Sequence, residues 1–297
     1  MRKYAAFAIS AAVTLGGLAL QATATKAADI TFGIIGPREY ELPVNYKDFF
    51  AFVQYTGTNS TSQFFDQSGN LSSVPRQNLT VGLSKFVWFT TIDSLPGVGI
   101  ALEAILPEVY LGTRGAKERF GFGDTIWGFA TWIKPTNNST LGFQSFIQAP
   151  IGGDYFTNRF YANYSSILFD VQGEHLSFTG DVGGVFRGDQ DPAGPGGVVV
   201  SPGTTFHTNL RLGYKLGIPA FPVEPFLALD YQYNTAARVT ASNLIVPNSQ
   251  NQDLALGAGL AILYDPKQSF TIRYSRSVYG ENTFPTNAVF LKYVYIP

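Results

Sequence analysis

Phe206-His207-Thr208-Asn209-Leu210-Arg211-Leu212-Gly213-Tyr214-Lys215-Leu216 is the stretch on which the fold turns. Successive side chains of a strand point to opposite faces. Phe206, Leu210, Leu212, Tyr214 and Leu216 therefore share one face, and His207, Asn209, Arg211, Gly213 and Lys215 the other. The same alternation recurs along the chain in segments of about ten residues, the length of a bilayer-crossing strand. In 225–234, Leu227, Leu229, Tyr231 and Tyr233 oppose Phe226, Asp230, Gln232 and Asn234. In Ser269–Ser275, Phe270, Ile272 and Tyr274 oppose Thr271 and Arg273.

Working outward, this alternation predicts strands over 47–56, 78–91, 98–106, 122–134, 140–149, 160–171, 174–186, 204–217, 222–234, 253–264, 267–277 and 288–296. The breaks carry turn chemistry, such as Ser94-Leu95-Pro96-Gly97 and Pro135-Thr136-Asn137-Asn138. They alternate between short turns and long links, among them Gly57–Gln77, Arg187–Gly203 and Thr235–Gln252. Short turns at one end and long loops at the other describe an even-numbered antiparallel transmembrane β-barrel of about 12 strands, with its termini at the short-turn end. Closure removes the unpaired edges that lipid does not tolerate. Trp88, Trp127, Trp132, Tyr231 and Tyr293 lie near strand ends, where interfacial aromatic girdles form.

The amino terminus fits an exported protein. Arg2 and Lys3 precede an apolar stretch, Ala5 to Leu20, and Ala22-Thr23-Ala24 or Thr25-Lys26-Ala27 offers small residues for cleavage. Residues 1–27 read as a cleaved signal peptide. Residues 28–46 are an irregular leader able to enter a lumen, and 47–297 form the barrel. Cleavage removes three of the 20 Lys+Arg and leaves 17 against 21 Asp+Glu, a net charge of −4 with no affinity for nucleic acid. Zero Cys and two His exclude a disulfide framework and leave little for a metal site; no cofactor is expected. Charged residues are only 14% and aromatics 15%, a composition suited to a wall solvated by lipid.

Polar residues on the inward faces are candidates for the substrate path: Glu103, Asp124, His175, Asp181, Arg211, Lys215, Asp230 and Arg273. Ion pairs among them would equally well fill a small barrel. The first strand departs from the rule. If Phe49, Val53 and Tyr55 face lipid, Phe50 and Phe52 face inward and line the path. Aromatics in the lumen suit a small hydrophobic cargo better than water. A different class of function rests on His175-Leu176-Ser177, because residues two apart on a strand share a face and His175 would activate Ser177 as a nucleophile. That alternative is an outer-membrane lipid hydrolase.

Three motifs carry a family resemblance: Arg38-Glu39-Tyr40-Glu41-Leu42-Pro43 before an aromatic first strand, Gly121-Phe122-Gly123-Asp124 opening a Trp-containing strand, and Ala149-Pro150-Ile151-Gly152-Gly153-Asp154-Tyr155. With these motifs the chain resembles a family of outer-membrane transporters assigned to the phenol meta-cleavage degradation pathway. That family is distantly similar to the long-chain fatty acid and aromatic-hydrocarbon transporters. The resemblance implies a monomeric channel, not an enzyme, in the outer membrane of a Gram-negative bacterium. Its ligands would be small hydrophobic or aromatic compounds, and its other partners outer-membrane lipid and the barrel-assembly machinery. Two features depart from it: a leader much shorter than a fatty acid transporter hatch, and a carboxyl terminus, Tyr293-Val294-Tyr295-Ile296-Pro297, without a final aromatic residue.

Overall fold

The computed structural model describes residues 34–192, 197–218, 222–265 and 267–297. The signal peptide and residues 28–33 of the leader lie outside the described residues. The barrel consists of β1 (Phe49–Phe65), β2 (Leu71–Thr90), β3 (Val98–Thr113), β4 (Ile126–Thr136), β5 (Ser139–Gln148), β6 (Ala162–Gln172), β7 (Leu176–Arg187), β8 (Thr205–Tyr214), β9 (Val223–Asn234), β10 (Asn251–Asp265), β11 (Gln268–Glu281) and β12 (Asn287–Tyr295). Each strand pairs antiparallel with its sequence neighbours, and β1 pairs with β12 from Phe52↔Tyr295 to Asn59↔Ala288, which closes the cylinder. Every backbone row of the wall therefore has a partner, as a lipid-facing sheet requires.

The faces follow the alternation. On β8, Phe206, Leu212 and Tyr214 are exposed, while His207, Asn209 and Arg211 are buried in the lumen. On β11, Phe270, Ile272 and Tyr274 face out, and Thr271, Arg273 and Ser275 face in. In water such an outer wall would be an aggregation surface; in a bilayer it is the solvated face.

The first strand runs in the opposite phase to that expected. Ala51, Val53 and Tyr55 are buried and inward. Phe50 is 63% exposed on the outer wall. Its ring stacks on Trp88, and Phe52 on the same face meets Phe86, both across β2. Both faces of β1 are apolar, so alternation cannot choose between them. The leader inside the lumen chooses, because it packs on the smaller Ala51 and Val53 and bonds the Tyr55 hydroxyl. Trp132 also departs from expectation: it is 1% exposed and inward, with Nε1 donating to the Pro43 carbonyl at 2.7 Å, while Trp88 and Trp127 lie on the outer wall.

The long link expected over 57–77 is a continuous hairpin. The β1–β2 ladder runs from Phe49↔Phe89 to Phe65↔Leu71, with an irregularity between Thr61 and Gln63. Its turn is held by the Asp66 carboxylate, which accepts from the Ser68 and Asn70 amides at 2.8 and 2.9 Å. β1, β2 and β3 have 17, 20 and 16 residues, well past the roughly 9–11 that cross a bilayer. The upper hairpin thus projects beyond the membrane, where neither face needs apolar side chains and no alternation marks it. At the same end, segments Val200–Ser201, Arg238–Val239 and Leu244–Ile245 form a small three-stranded cap.

Candidate functional site: the barrel lumen and its leader

Residues 34–46 lie inside the barrel, and Ile34, Ile35 and Tyr40 belong to the same buried cluster as Val53, Val87, Ala101, Trp132 and Leu168. At the short-turn end the Tyr46 ring stacks on Trp132, with centroids 6.3 Å apart, and its hydroxyl lies 2.7 Å from the Thr90 carbonyl. Further in, the Tyr40 hydroxyl accepts from Gln144 Nε2 at 3.3 Å. Glu39 is held by Lys292 Nζ at 2.6 Å and by the Tyr55 hydroxyl at 2.7 Å. The deepest tie is Arg211, which donates to the Ile34 carbonyl. Gly36 is needed here, since a Cβ would come within 2.7 Å of Thr271 Cγ2. Beside the leader, towards the short-turn end, a cavity of about 680 Å³ opens between the apolar wall of β1–β5 and the lower ends of β10–β12.

The charged residues expected on the path divide by role. Asp230 joins Arg211 at 2.6 Å and Arg273 at 2.8 Å, and all three are completely buried. Arg273 also lies 4.3 Å over the Phe290 ring. Burying such charges costs more than their attraction returns unless each is hydrogen-bonded. Arg211 meets that condition in part, with the Leu210 and Leu229 carbonyls at 2.7 and 3.2 Å, while its Nε and the Nε and Nη2 of Arg273 have no partner among the described residues. Asp181 accepts from Asn209 at 2.8 Å and faces His207 at 3.8 Å. Glu103 pairs with Lys85 at 2.5 Å on the opposite, apolar side.

Asp124 serves the external loops. It accepts from Gln148 Nε2 at 3.1 Å and from the Gly152 and Asn158 amides at 2.9 and 2.7 Å. A Cβ at Gly152 would come within 2.6 Å of the Gly123 carbonyl carbon. The two glycine-rich motifs thus lie against one another, and only glycine permits the approach. Phe120, Phe122, Ile151 and Tyr155 are exposed around this junction.

His175 and Ser177 do not form a pair. His175 lies in the turn before β7, its side chain 61% exposed and its ring 6.1 Å from that of Tyr214. Ser177 is fully buried and donates to Glu224. The rule that residues two apart share a face holds within a strand, and β7 begins only at Leu176. Lys215 lies just past β8, where its Nζ donates to the Gly173 carbonyl at 2.9 Å and ties two turns at the rim. Phe50 and Phe52, on the lipid side, line no path. Of the residues that hold the leader, Arg211 was in the expected set, while Tyr55, Trp132 and Lys292 lie outside it. The signal for Lys292 is visible in retrospect, as the lone charge on the inward phase of Phe290-Leu291-Lys292-Tyr293-Val294.

The family described as "Putative MetA-pathway of phenol degradation" matches residues 61–293. Among solved structures, the chain is similar to an outer membrane channel from Pseudomonas putida F1, with 15% identity over 89% of this chain and 100% of that one and a TM-score of 0.77. It is also similar to the β domain of the Bordetella autotransporter BrkA, at 11% identity, 83% and 99% coverage and a TM-score of 0.49. A Pseudomonas aeruginosa FadL homologue matches at 10% identity, 84% and 89% coverage and a TM-score of 0.37. The first likeness shows that the two chains share a fold. No curated protein sequence matches the chain.

Proposed function

The chain belongs to this phenol-degradation family, and from that premise we propose that it is an outer-membrane channel for small hydrophobic or aromatic compounds moving down their gradient. The observation that carries this reading is the apolar half of the lumen. Val53, Val87, Phe89, Ala101, Ala130 and Trp132 line a cavity of about 680 Å³, within the range of small-molecule sites. Exposed Phe120 and Phe122, on a short strand paired with the upper end of β3, and Tyr155 nearby supply a first apolar contact. Passage then requires the leader to move aside, since it fills the lumen beside that wall. The barrel acts as a monomer and is inserted by the barrel-assembly machinery. No chemical step is needed.

Reconstitution in liposomes tests this. Phenol and toluene influx should exceed that of empty vesicles, and deletion of residues 34–43 should raise it further. Equal influx with and without protein, for both the full and the shortened chain, rules the channel out.

A further inference from the structure

The leader places one carboxylate between two side chains that both belong to the barrel wall. Tyr55 and Lys292 are directly opposed across the β1–β12 ladder, so the wall itself sets the spacing of the hydroxyl and the ammonium. Both side chains are buried, and together they grip the two oxygens of Glu39 at 2.7 and 2.6 Å. The carboxylate, by contrast, rides on a segment whose described residues, 34–48, contain no strand. Its neighbours Arg38 and Glu41 pair with each other and do not share the task. The same cavity that borders Glu39 and Lys292 continues along Val53, Val87 and Phe89.

We propose that the Tyr55–Lys292 pair is a binding site for a carboxylate carried on a small apolar body, and that Glu39 occupies it as a built-in stand-in for that ligand. The inference rests on the channel reading above and specifies which of its solutes are held. A buried ammonium left without a counter-charge is strongly unfavourable, so the leader cannot leave freely. An incoming carboxylate removes that penalty and places its apolar part against the wall that the leader vacates. A neutral solute of the same shape cannot. The ligand and the leader therefore compete for one site, and the leader reports on occupancy.

Benzoate, hexanoate and benzyl alcohol binding to the purified full-length mature barrel, followed by calorimetry at neutral pH, tests this. Glu39→Ala frees the site, so benzoate or hexanoate should bind about tenfold more tightly than to the wild type, because the competent fraction rises. Whichever of the two gains more identifies an aromatic or an aliphatic body. Benzyl alcohol should not gain. Lys292→Met added to Glu39→Ala should abolish the carboxylate preference, and Lys292→Arg should keep it. If Lys292→Met fails heat-modifiable migration on gels, Tyr55→Phe decides with a severalfold loss. Equal gains for benzoate and benzyl alcohol, or a preference that survives both Lys292→Met and Tyr55→Phe, overturns the proposal. Toluene influx in liposomes separates the two readings. Influx that persists while carboxylate preference is missing leaves the channel standing without this site, and absent influx refutes the channel while the binding data still decide the site.

Discussion

The two halves of the lumen wall are built from different chemistry. From β1 to β6 the inward side chains are mostly small or apolar: Ala51, Val53, Val87, Ala101, Ile105, Ala130, Trp132 and Leu168. From β7 to β11 buried charged and polar side chains concentrate, Asp181, Asn209, Arg211, Asp230, Asp253 and Arg273, among smaller numbers of apolar ones such as Val185, Phe226 and Ala255. The leader lies between them and uses both, packing Ile35 and Tyr40 on the apolar side and offering its Ile34 carbonyl to Arg211 on the other. The polar half is held by ion pairs in which Asp230 serves two arginines, so removing one member leaves the others buried without their partner. The apolar half holds its occupant mainly by burial, to which Tyr55, Trp132 and Gln144 add single hydrogen bonds, and the buried contacts are ones that an apolar body of similar size can replace. The difference assigns rigidity to one side and exchange to the other.

That assignment can be broken most forcefully at Asp230. Asp230→Ala leaves Arg211 and Arg273 buried without a counter-charge and should cost about 3–5 kcal/mol. The folded, heat-modifiable band should shift to a much lower melting temperature; an unchanged melting curve would refute the claim that the polar half is a structural lock.

The Gly36 substitution probes the leader and leaves the wall intact. Gly36→Val forces a side chain onto Thr271 and should weaken leader docking by about 1–3 kcal/mol. Protease cleavage after Arg38 should then accelerate while barrel melting stays put. Trp132→Phe is milder. It keeps an aromatic ring against the leader but removes the bond to Pro43, worth about 0.5–1.5 kcal/mol, together with part of the buried indole packed near Gly99. Faster cleavage, smaller than for Gly36→Val, is the outcome to look for.

Acidification should sharpen the comparison through Glu39. Burial pushes its carboxyl up, but the Lys292 ammonium and the Tyr55 hydroxyl outweigh burial and hold it below the ordinary 4.5. A depressed carboxylate stabilises the docked leader above the ordinary value and loses that contribution only as pH falls through the lowered one. Cleavage rates corrected for protease activity should therefore stay flat from neutral pH down to 4.5 and rise only below it. A rise between pH 7 and 5 would show that another group controls docking. The smallest effect belongs to Phe50→Ala on the lipid side, which should leave solute influx unchanged.

Much of the architecture is legible in the residues. The twelve strands, the faces of β8 to β11 and the closed even-numbered barrel follow from an alternation that the bilayer imposes on each crossing segment. The polar set Asp181, Arg211, Asp230 and Arg273 was legible for the same reason, as charges on the phase opposite to Leu and Phe. The upper β1–β2 hairpin was not, because Asn59, Ser60, Asn78 and Thr80 stand outside the membrane and are under no pressure to alternate. His175 misled because its spacing from Ser177 is meaningful only inside a strand.

What the sequence by itself determined is which side chains share a face, since the two-residue period belongs to the backbone and needs no partner. Only the tertiary structure decided which face of β1 is the inner one, and that Glu39 meets Tyr55 and Lys292. Those choices rest on contacts between residues 16 and 253 positions apart, which close only when the sheet curls around its own leader.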